Sequence, residues 1–193
     1  MDLGTIIQSL TAADLALLLL IAGAFIVGFF QGSARGIMFL LAWLVAFVVG
    51  VTAWQPLGDW LSRYWVQYQT IYTQMLAYLI GFVVAFVMAS IVIVVFSRRA
   101  PLLGRWPFVD EVLGGILFVI LFLLIIAAVM AGFDTTYGHA AAATGNDVPW
   151  ITSIWDALNG SLIGSWINDA IVPLILLIFS PIIPDEFDRL ATA

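Results

Sequence analysis

Residues 75–96 read MLAYLIGFVVAFVMASIVIVVF and contain no charged side chain. Three further stretches, residues 15–30, 37–54 and 112–133, are also free of charge. An α-helix rises 1.5 Å per residue, so about 20 apolar residues cross a hydrocarbon core roughly 30 Å thick. Only helices and closed barrels satisfy every backbone polar group in lipid. Because these stretches are continuously apolar rather than alternating, they predict helices.

The sequence therefore predicts an all-α fold, a polytopic transmembrane helical bundle with four spans at about residues 15–30, 37–54, 72–96 and 111–133. We expect residues 1–135 to form the bundle and residues 136–193 to form an external tail. Composition agrees, since 64% of the 193 residues are hydrophobic and only 9% are charged. A soluble domain of this size needs more polar residues on its surface. The lipid bilayer is thus the expected surrounding of the chain.

Several classes of chemistry are excluded by composition. The chain has no cysteine, so disulfides, thiolate metal sites and thiol nucleophiles are absent. All six cationic residues are arginine, which excludes a P-loop lysine and a Schiff-base lysine. With a net charge of -6 and no basic run, nucleic acid is not an expected partner.

The arginines predict an orientation, because Lys and Arg accumulate in short cytoplasmic loops. Four residues are the expected topology anchors of the two loops on one side of a four-span bundle: Arg35, Arg98, Arg99 and Arg105. The tail after Phe133 carries seven acids and only Arg189. Both termini are therefore predicted to lie outside the cytoplasm.

Aromatic residues crowd the second connection and the tail, both external in this orientation. Amphipathic rings prefer the headgroup level of a membrane. We predict an outer aromatic belt made of Trp54, Trp60, Trp65, Trp150, Trp155 and Trp166. An aromatic ligand cage is the alternative interpretation of the second connection.

Asp110 follows Pro107 at the expected start of the fourth helix, where we predict that it is the N-cap. Asp110 and Glu111 form a catalytic carboxylate pair in the alternative interpretation. Adjacent residues point to different faces of a helix, however, and a helix start favours acidic residues in any case.

The tail contains breakers and one periodic segment. Residues 134–150 include Gly138, Gly145 and Pro149 and are predicted to form an external loop. Apolar residues at helical spacing predict an amphipathic helix at about residues 151–169. The last apolar stretch, residues 171–183, holds two prolines and is short, which favours a re-entrant or interfacial segment over a further span.

Small residues recur at every fourth position on three spans and form a pair in the fourth. Such stripes permit the close backbone approach by which membrane helices associate. The predicted helix-packing residues are Ala24, Gly28, Gly32, Gly36, Ala42, Ala46, Gly50, Ala77, Gly81, Ala85, Ala89, Gly114 and Gly115. They pack helices within one bundle, or they dock a partner protein or a second copy.

The sequence does not indicate transport or hydrolysis. Coupled transporters usually keep ionisable groups at membrane depth, and the four charge-free stretches at the centre of the predicted spans hold none. The residue types of a catalytic triad are present on one side of the predicted bundle as Asp134, His139 and Ser153. The serine, however, lacks the Gly-x-Ser-x-Gly setting of many hydrolases. We expect no catalytic residue, no metal site and no cofactor.

Two motifs suggest a family. The turn GFFQGSARG at residues 28–36 joins a short first span to a Trp-containing second span, and FVDEVLGG at residues 108–115 opens the fourth. In this order they resemble the colicin V production protein family of bacterial inner-membrane proteins, over about residues 14–135 with a weaker echo at 158–173. The resemblance implies a four-span bundle with both termini outside the cytoplasm. It also implies a role in the production or export of a peptide toxin, or in envelope homeostasis.

We therefore expect a non-enzymatic protein of the bacterial inner membrane that acts by helix packing, as an accessory or scaffold subunit. Its expected partner is another membrane protein or a second copy of itself. The alternative function is a small transporter or channel component.

Overall fold

The computed structural model of the chain describes residues 10–66, 70–96, 106–144, 149–181 and 183. These residues form helices and no strand, so the predicted all-α class is confirmed. The elements in chain order are α1 (Ala12–Gln31), α2 (Ser33–Ser62), α3 (Thr70–Phe96), α4 (Pro107–Thr144), α5 (Pro149–Asn159), α6 (Leu162–Trp166), a π-helical turn (Ile167–Ile171) and α7 (Val172–Phe179).

Five helical segments of the described chain are long and apolar enough to cross a membrane: Ala12–Gln31, Ser33–Ser62, Tyr72–Phe96, Pro107–Phe133 and Leu162–Phe179. The first four contain the predicted spans and extend beyond most of their predicted ends. The fifth begins before the short segment predicted at 171–183, because α6, the π-helical turn and α7 follow one another without a break.

Helix α4 continues through part of the predicted external loop. Residues 134–144 belong to α4 and not to a loop, so this prediction was wrong for them. The physical reason is the alanine run at 140–143, since alanine has the highest intrinsic helix propensity. The side chains of residues 134–144 lie outside the described part of the structure.

The helices pack as two antiparallel pairs joined through α4. Helix α2 lies along α3, α1 lies along α4, and α2 also packs on α4. Phe47, Tyr78, Met130 and Ile167 are fully buried where α2, α3, α4 and the π-helical turn meet. The apolar interior therefore joins the tail to the bundle.

The tail divides at Gly160 and Ser161. Helix α5 ends at Asn159, and Ser161 caps α6 by accepting a 2.9 Å hydrogen bond from the backbone N–H of Gly164. The structure thus places two helices where one amphipathic helix was predicted at about 151–169. The sequence signal for this division is the Gly160–Ser161 pair, since glycine disfavours helix interiors and serine is a favourable N-cap.

Candidate functional site

Helices α1 and α4 touch backbone to backbone at Gly28 and Gly114. A Cβ atom added to Gly114 would lie 2.5 Å from the carbonyl oxygen of Gly28, and one added to Gly28 would meet the carbonyl oxygen of Gly114. Next to this contact, Gly115 lies against the ring of Phe25. No other residue type permits this approach, so the two glycines fix the distance between the helices.

A cluster of polar side chains lies directly beside this contact. We call it the polar junction and define it as Gln31, Gly32, Ser33, Arg35 and Asp110. Oγ of Ser33 donates a 2.5 Å hydrogen bond to Oδ1 of Asp110, and Nη1 of Arg35 donates a 2.6 Å hydrogen bond to Oε1 of Gln31. Ser33, Arg35 and Asp110 are all buried. The junction joins the α1–α2 turn to the start of α4.

Gly32 is required at the turn for two reasons. Its φ of +79° lies in the region that side chains disfavour. A Cβ atom on Gly32 would also lie 2.9 Å from Oδ2 of Asp110. The turn therefore brings the carboxylate of Asp110 to the first residues of α2, where the partial positive charge of a helix N-terminus favours an anion.

The prediction that Asp110 is the N-cap of α4 was wrong. The helix begins three residues earlier at Pro107, and the backbone N–H of Asp110 donates to the carbonyl oxygen of Trp106 at 3.1 Å. Proline suits the first position of a helix because its N–H would have no partner there. Asp110 lies in the first turn of α4, and its carboxylate accepts a hydrogen bond from Ser33 at the start of α2.

A second buried carboxylate lies at the start of α1. Oδ2 of Asp14 accepts hydrogen bonds from the backbone N–H and the hydroxyl of Thr11, at 2.9 and 2.8 Å. Its Oδ1 accepts a 2.9 Å hydrogen bond from the backbone N–H of Ile163, 149 residues later. We call this last contact the Asp14 latch, because it joins the beginning of α6 to the beginning of α1.

These two sites correct the expectation that the membrane helices hold no ionisable group. Asp14, Arg35 and Asp110 lie within candidate spans and are buried, each in the first turn of its helix. The charge-free stretches are real, but the helices extend beyond them. An ionisable residue within such a helix marks a functional or structural site, and each of the two carboxylates here makes a defined hydrogen bond to another helix.

Helices α2 and α3 meet at a second glycine contact. A Cβ atom on Gly50 would lie 3.1 Å from Cβ of Phe82 and 3.2 Å from the ring of Tyr78, whereas one on Gly81 would lie 3.5 and 3.6 Å from atoms of Ala53 and Gly50. The hydroxyl of Tyr78 donates a 2.8 Å hydrogen bond to the carbonyl oxygen of Ala128 on α4. Tyr78 thus links α3 to α4 inside the bundle.

The remaining predicted packing residues fall into three groups. Ala42, Ala46 and Ala77 are buried, and Gly36 lies against Leu117. Ala85 packs at the edge of the core. Ala24 and Ala89 are half-buried. Two close glycine contacts have no signal in the stripes, since Gly58 lies against Gln74 and Gly132 lies against the ring of Tyr78.

The predicted topology anchors and the tryptophans of the predicted aromatic belt differ in their surroundings. Arg98, Arg99 and Arg105 lie outside the described residues, and the side chain of Trp150 is also outside them. Trp60, Trp65 and Trp166 are exposed, and Trp155 packs against Phe133. Trp54 is only 6% exposed and belongs to the core of the bundle.

The structure gives no geometry for the hydrolytic triad. Asp134 and His139 lie on α4 and Ser153 on α5, but the side chains of Asp134 and His139 are outside the described residues. Within the described part of the chain, no group of three His, Cys, Asp or Glu residues could hold a metal ion. The best-defined polar geometry is therefore that of the polar junction and the Asp14 latch.

Long apolar helices, glycine backbone contacts and carboxylates committed to other helices define a multi-pass helical membrane protein. Residues 13–172 match the family description "Colicin V production protein". The match covers most of the chain, and the chain belongs to the colicin V production protein family. The resemblance in the motifs at 28–36 and 108–115 is thereby confirmed. No curated protein and no solved structure matches the chain.

Proposed function

We propose that this chain is a non-enzymatic scaffold or accessory subunit of the bacterial inner membrane, acting in peptide-toxin production or export, or in envelope homeostasis. The family membership supports the biological setting. The observation that carries the scaffold role is the division of the helix surfaces. Close contacts hold the interior together, whereas α1 and α3 present broad apolar faces outward.

The inward contacts use the small residues. Gly28 and Gly114 fix α1 on α4, and Gly50 of α2 lies tightly against Tyr78 and Phe82 of α3. A side chain at either Gly28 or Gly114 would separate α1 from α4, so only glycine at both positions permits this distance between the helices. A frame with fixed helix distances is what a scaffold requires, because it presents its outer faces in one arrangement.

The outward faces are large and apolar. Leu19 and Phe30 on α1, and Met88 and Val95 on α3, are each at least 60% exposed. In water such surfaces would drive aggregation, but in a bilayer they meet lipid chains or another membrane protein. The expected partner is therefore a second membrane protein, or a second copy, docked on α1 or α3.

Site-specific photocrosslinking in cells tests this proposal. A photoreactive amino acid in place of Leu19 or Met88 should give a discrete protein adduct that mass spectrometry identifies. The control is the same amino acid in place of Val66, an exposed residue between α2 and α3. Lipid adducts alone at Leu19 and Met88 would contradict the scaffold role.

A secretion assay tests the biological setting. A strain that lacks this chain and carries a peptide-toxin plasmid should release less active toxin into the medium than its parent. The wild-type chain should restore release, and a Gly28→Leu variant should not, because leucine separates α1 from α4. Normal secretion without the chain would contradict the role in toxin export. The scaffold role would then be decided by the crosslinking experiment alone.

We further propose that both termini lie outside the cytoplasm. The arginine distribution supports this orientation. The Asp14 latch adds a second argument, since it fixes the start of α6 beside the start of α1. Phe179 lies at the other end of the helical segment Leu162–Phe179, which α6, the π-helical turn and α7 form together. Its ring contacts those of Trp43 and Phe47, which lie about 15 and 21 Å along α2 from its first residue. A segment that ends against the middle of α2 fits a re-entrant path.

A further inference from the structure

The outward face of the helical segment Leu162–Phe179 carries a single charged side chain. Asp169 is the only ionisable residue among the 18 residues of this segment, and it is exposed. Large apolar side chains at helical spacing make up most of the rest of this face: Leu162, Trp166, Leu174, Leu177 and Ile178. The face is therefore an apolar stripe that contains one carboxylate.

Asp169 lies well inside this apolar segment. The backbone N–H of Ile163 is bonded to Asp14 in the first turn of α1. Asp169 follows six residues later, about 9 Å further along the helix. Ile167 and Val172 flank it and are buried in the main core of the bundle. The carboxylate is thus level with core residues and not with the end of a span.

The carboxylate of Asp169 differs from the buried carboxylates of the other spans. Asp14 and Asp110 each accept a hydrogen bond from another helix. The side chain of Asp169 has no hydrogen bond and no ion pair within the described part of the chain. Charged groups at membrane depth are costly in lipid, and they pair with one another or with polar groups of a neighbouring helix. The group that pairs with Asp169 therefore comes from outside the described residues.

A second oxygen acceptor without a donor lies next to Asp169. Oδ1 of Asn168 is buried and has no hydrogen-bond partner among the described residues. Both residues belong to the π-helical turn Ile167–Ile171, where the backbone N–H of Val172 donates to the carbonyl oxygen of Ile167. Turns of this kind occur frequently at functional sites. The turn thus offers an amide oxygen and a carboxylate, which match the N–H donors of an ammonium or guanidinium group.

The arginines of this chain are poorly placed to supply that group. Arg35 belongs to the polar junction, at the opposite end of α1 from Asp14, and three further arginines precede α4, which begins at the same junction. Arg63 is exposed at the end of α2. Three of the four residues before Arg189 are acidic, so its charge is balanced by its neighbours in the sequence. A second copy would bring the same arginines and no lysine, which favours a different protein as the source of the cation.

We propose that the outward face of Leu162–Phe179 docks a membrane helix of a different protein, and that a lysine or arginine of this helix pairs with Asp169. The apolar side chains on both sides of Asp169 pack against the partner helix, and the ion pair fixes its depth and rotation. This surface is separate from the outward faces of α1 and α3. The proposal therefore goes beyond the scaffold role and does not depend on it.

Photocrosslinking in cells tests this docking in the full chain. A photoreactive amino acid in place of the exposed Leu177 should give an adduct with one membrane protein, which mass spectrometry identifies. Asp169→Asn removes the charge and keeps the size of the side chain. It should lower the yield of this adduct at least about tenfold, because the cation of the partner is left unpaired. Asp169→Glu keeps the charge and should retain most of the adduct.

Two controls separate docking from folding. Asp156→Asn removes an exposed carboxylate of α5, outside the docking face, and should leave the adduct unchanged. Circular dichroism during SDS titration should show no loss of stability in Asp169→Asn, since Asp169 is exposed. A loss of stability that accompanies the loss of the adduct would make Asp169 a folding residue and overturn the proposal. Adducts at Leu19 and Met88 bear on the scaffold role alone.

An exchange of the two charges tests the ion pair directly. Asp169→Arg should abolish the adduct, and replacement of the partner's cationic residue by aspartate should restore it in that background. Four results would overturn the proposal: lipid adducts alone, an adduct with a second copy of the chain, a protein adduct that Asp169→Asn leaves unchanged, and failure of the charge exchange to restore the adduct. An adduct within the chain that Arg189→Gln removes would assign the cation to the tail and overturn it as well.

Discussion

Ser33 and Asp110, separated by 77 positions in the sequence, share a buried 2.5 Å hydrogen bond at the junction of three helices. Ser33 is the first residue of α2, and Asp110 lies in the first turn of α4. Each membrane helix must satisfy the backbone groups of its ends without help from lipid. The carboxylate of one helix thus stabilises the start of another, and Asp14 repeats this arrangement at the start of α6.

Removal of the Asp110 carboxylate should destabilise the bundle. Asp110→Ala leaves the buried hydroxyl of Ser33 without its acceptor and removes a negative charge from the start of α2. We expect a loss of about 2 kcal/mol in the free energy of unfolding, measured by SDS titration in mixed micelles with circular dichroism. Glu111→Ala is the matched control, since Glu111 is adjacent and half-buried, and it should cost less than about 1 kcal/mol. Equal effects of the two substitutions would contradict the role of the junction.

Two glycines of α1 should respond to alanine with opposite signs. A Cβ atom at Gly28 meets the backbone of α4, whereas one at Gly23 has no atom within 4 Å apart from its own helix. Gly28→Ala should therefore destabilise the bundle by about 1–3 kcal/mol, because the helices must separate. Gly23→Ala should stabilise it by about 0.5–1 kcal/mol through helix propensity. The same unfolding titration measures both, and a loss at Gly23 similar to that at Gly28 would show that the contact is not selective.

The apolar helices could be predicted from the sequence because hydrophobicity is a local signal. Residues 75–96 require no knowledge of their neighbours to indicate a helix in lipid. The stripe at Gly28, Gly32 and Gly36 also indicated close packing, although it could not indicate that Gly114 and Leu117 are the partners. Such pairings are set by the arrangement of whole helices.

The buried carboxylates could not be assigned from the sequence for the same reason. Asp110 looks like a cap of its own helix, and only the three-dimensional path of the chain brings it to Ser33. Asp14 lies 149 positions from Ile163. Trp54 likewise fits an interfacial belt by its place at the end of an apolar stretch, but α2 continues to Ser62 and turns this ring into the core.

The hydroxyl of Tyr78 should contribute to the packing of α3 on α4. Tyr78→Phe keeps the fully buried ring and removes only the hydrogen bond to the carbonyl oxygen of Ala128. We expect a loss of about 1 kcal/mol in the free energy of unfolding. Tyr64→Phe is the control at an exposed position and should change the stability by less than about 0.5 kcal/mol. If Tyr78→Phe has no effect, the ring alone accounts for this contact.

The side of the membrane on which the C-terminus lies distinguishes a re-entrant segment Leu162–Phe179 from a fifth span. Four spans place the C-terminus outside the cytoplasm with the N-terminus, whereas a segment Leu162–Phe179 that crosses would place it inside. We expect alkaline phosphatase fused after Ala193 to be active and green fluorescent protein fused there to be dark, since the former folds only outside the cytoplasm and standard forms of the latter only within it. The same reporters inserted after Val66, between α2 and α3, should give the same outward result and serve as the reference. Fluorescence at Ala193 with phosphatase activity at Val66 would show that Leu162–Phe179 crosses, and the Asp14 latch would then join two full spans at the outer surface.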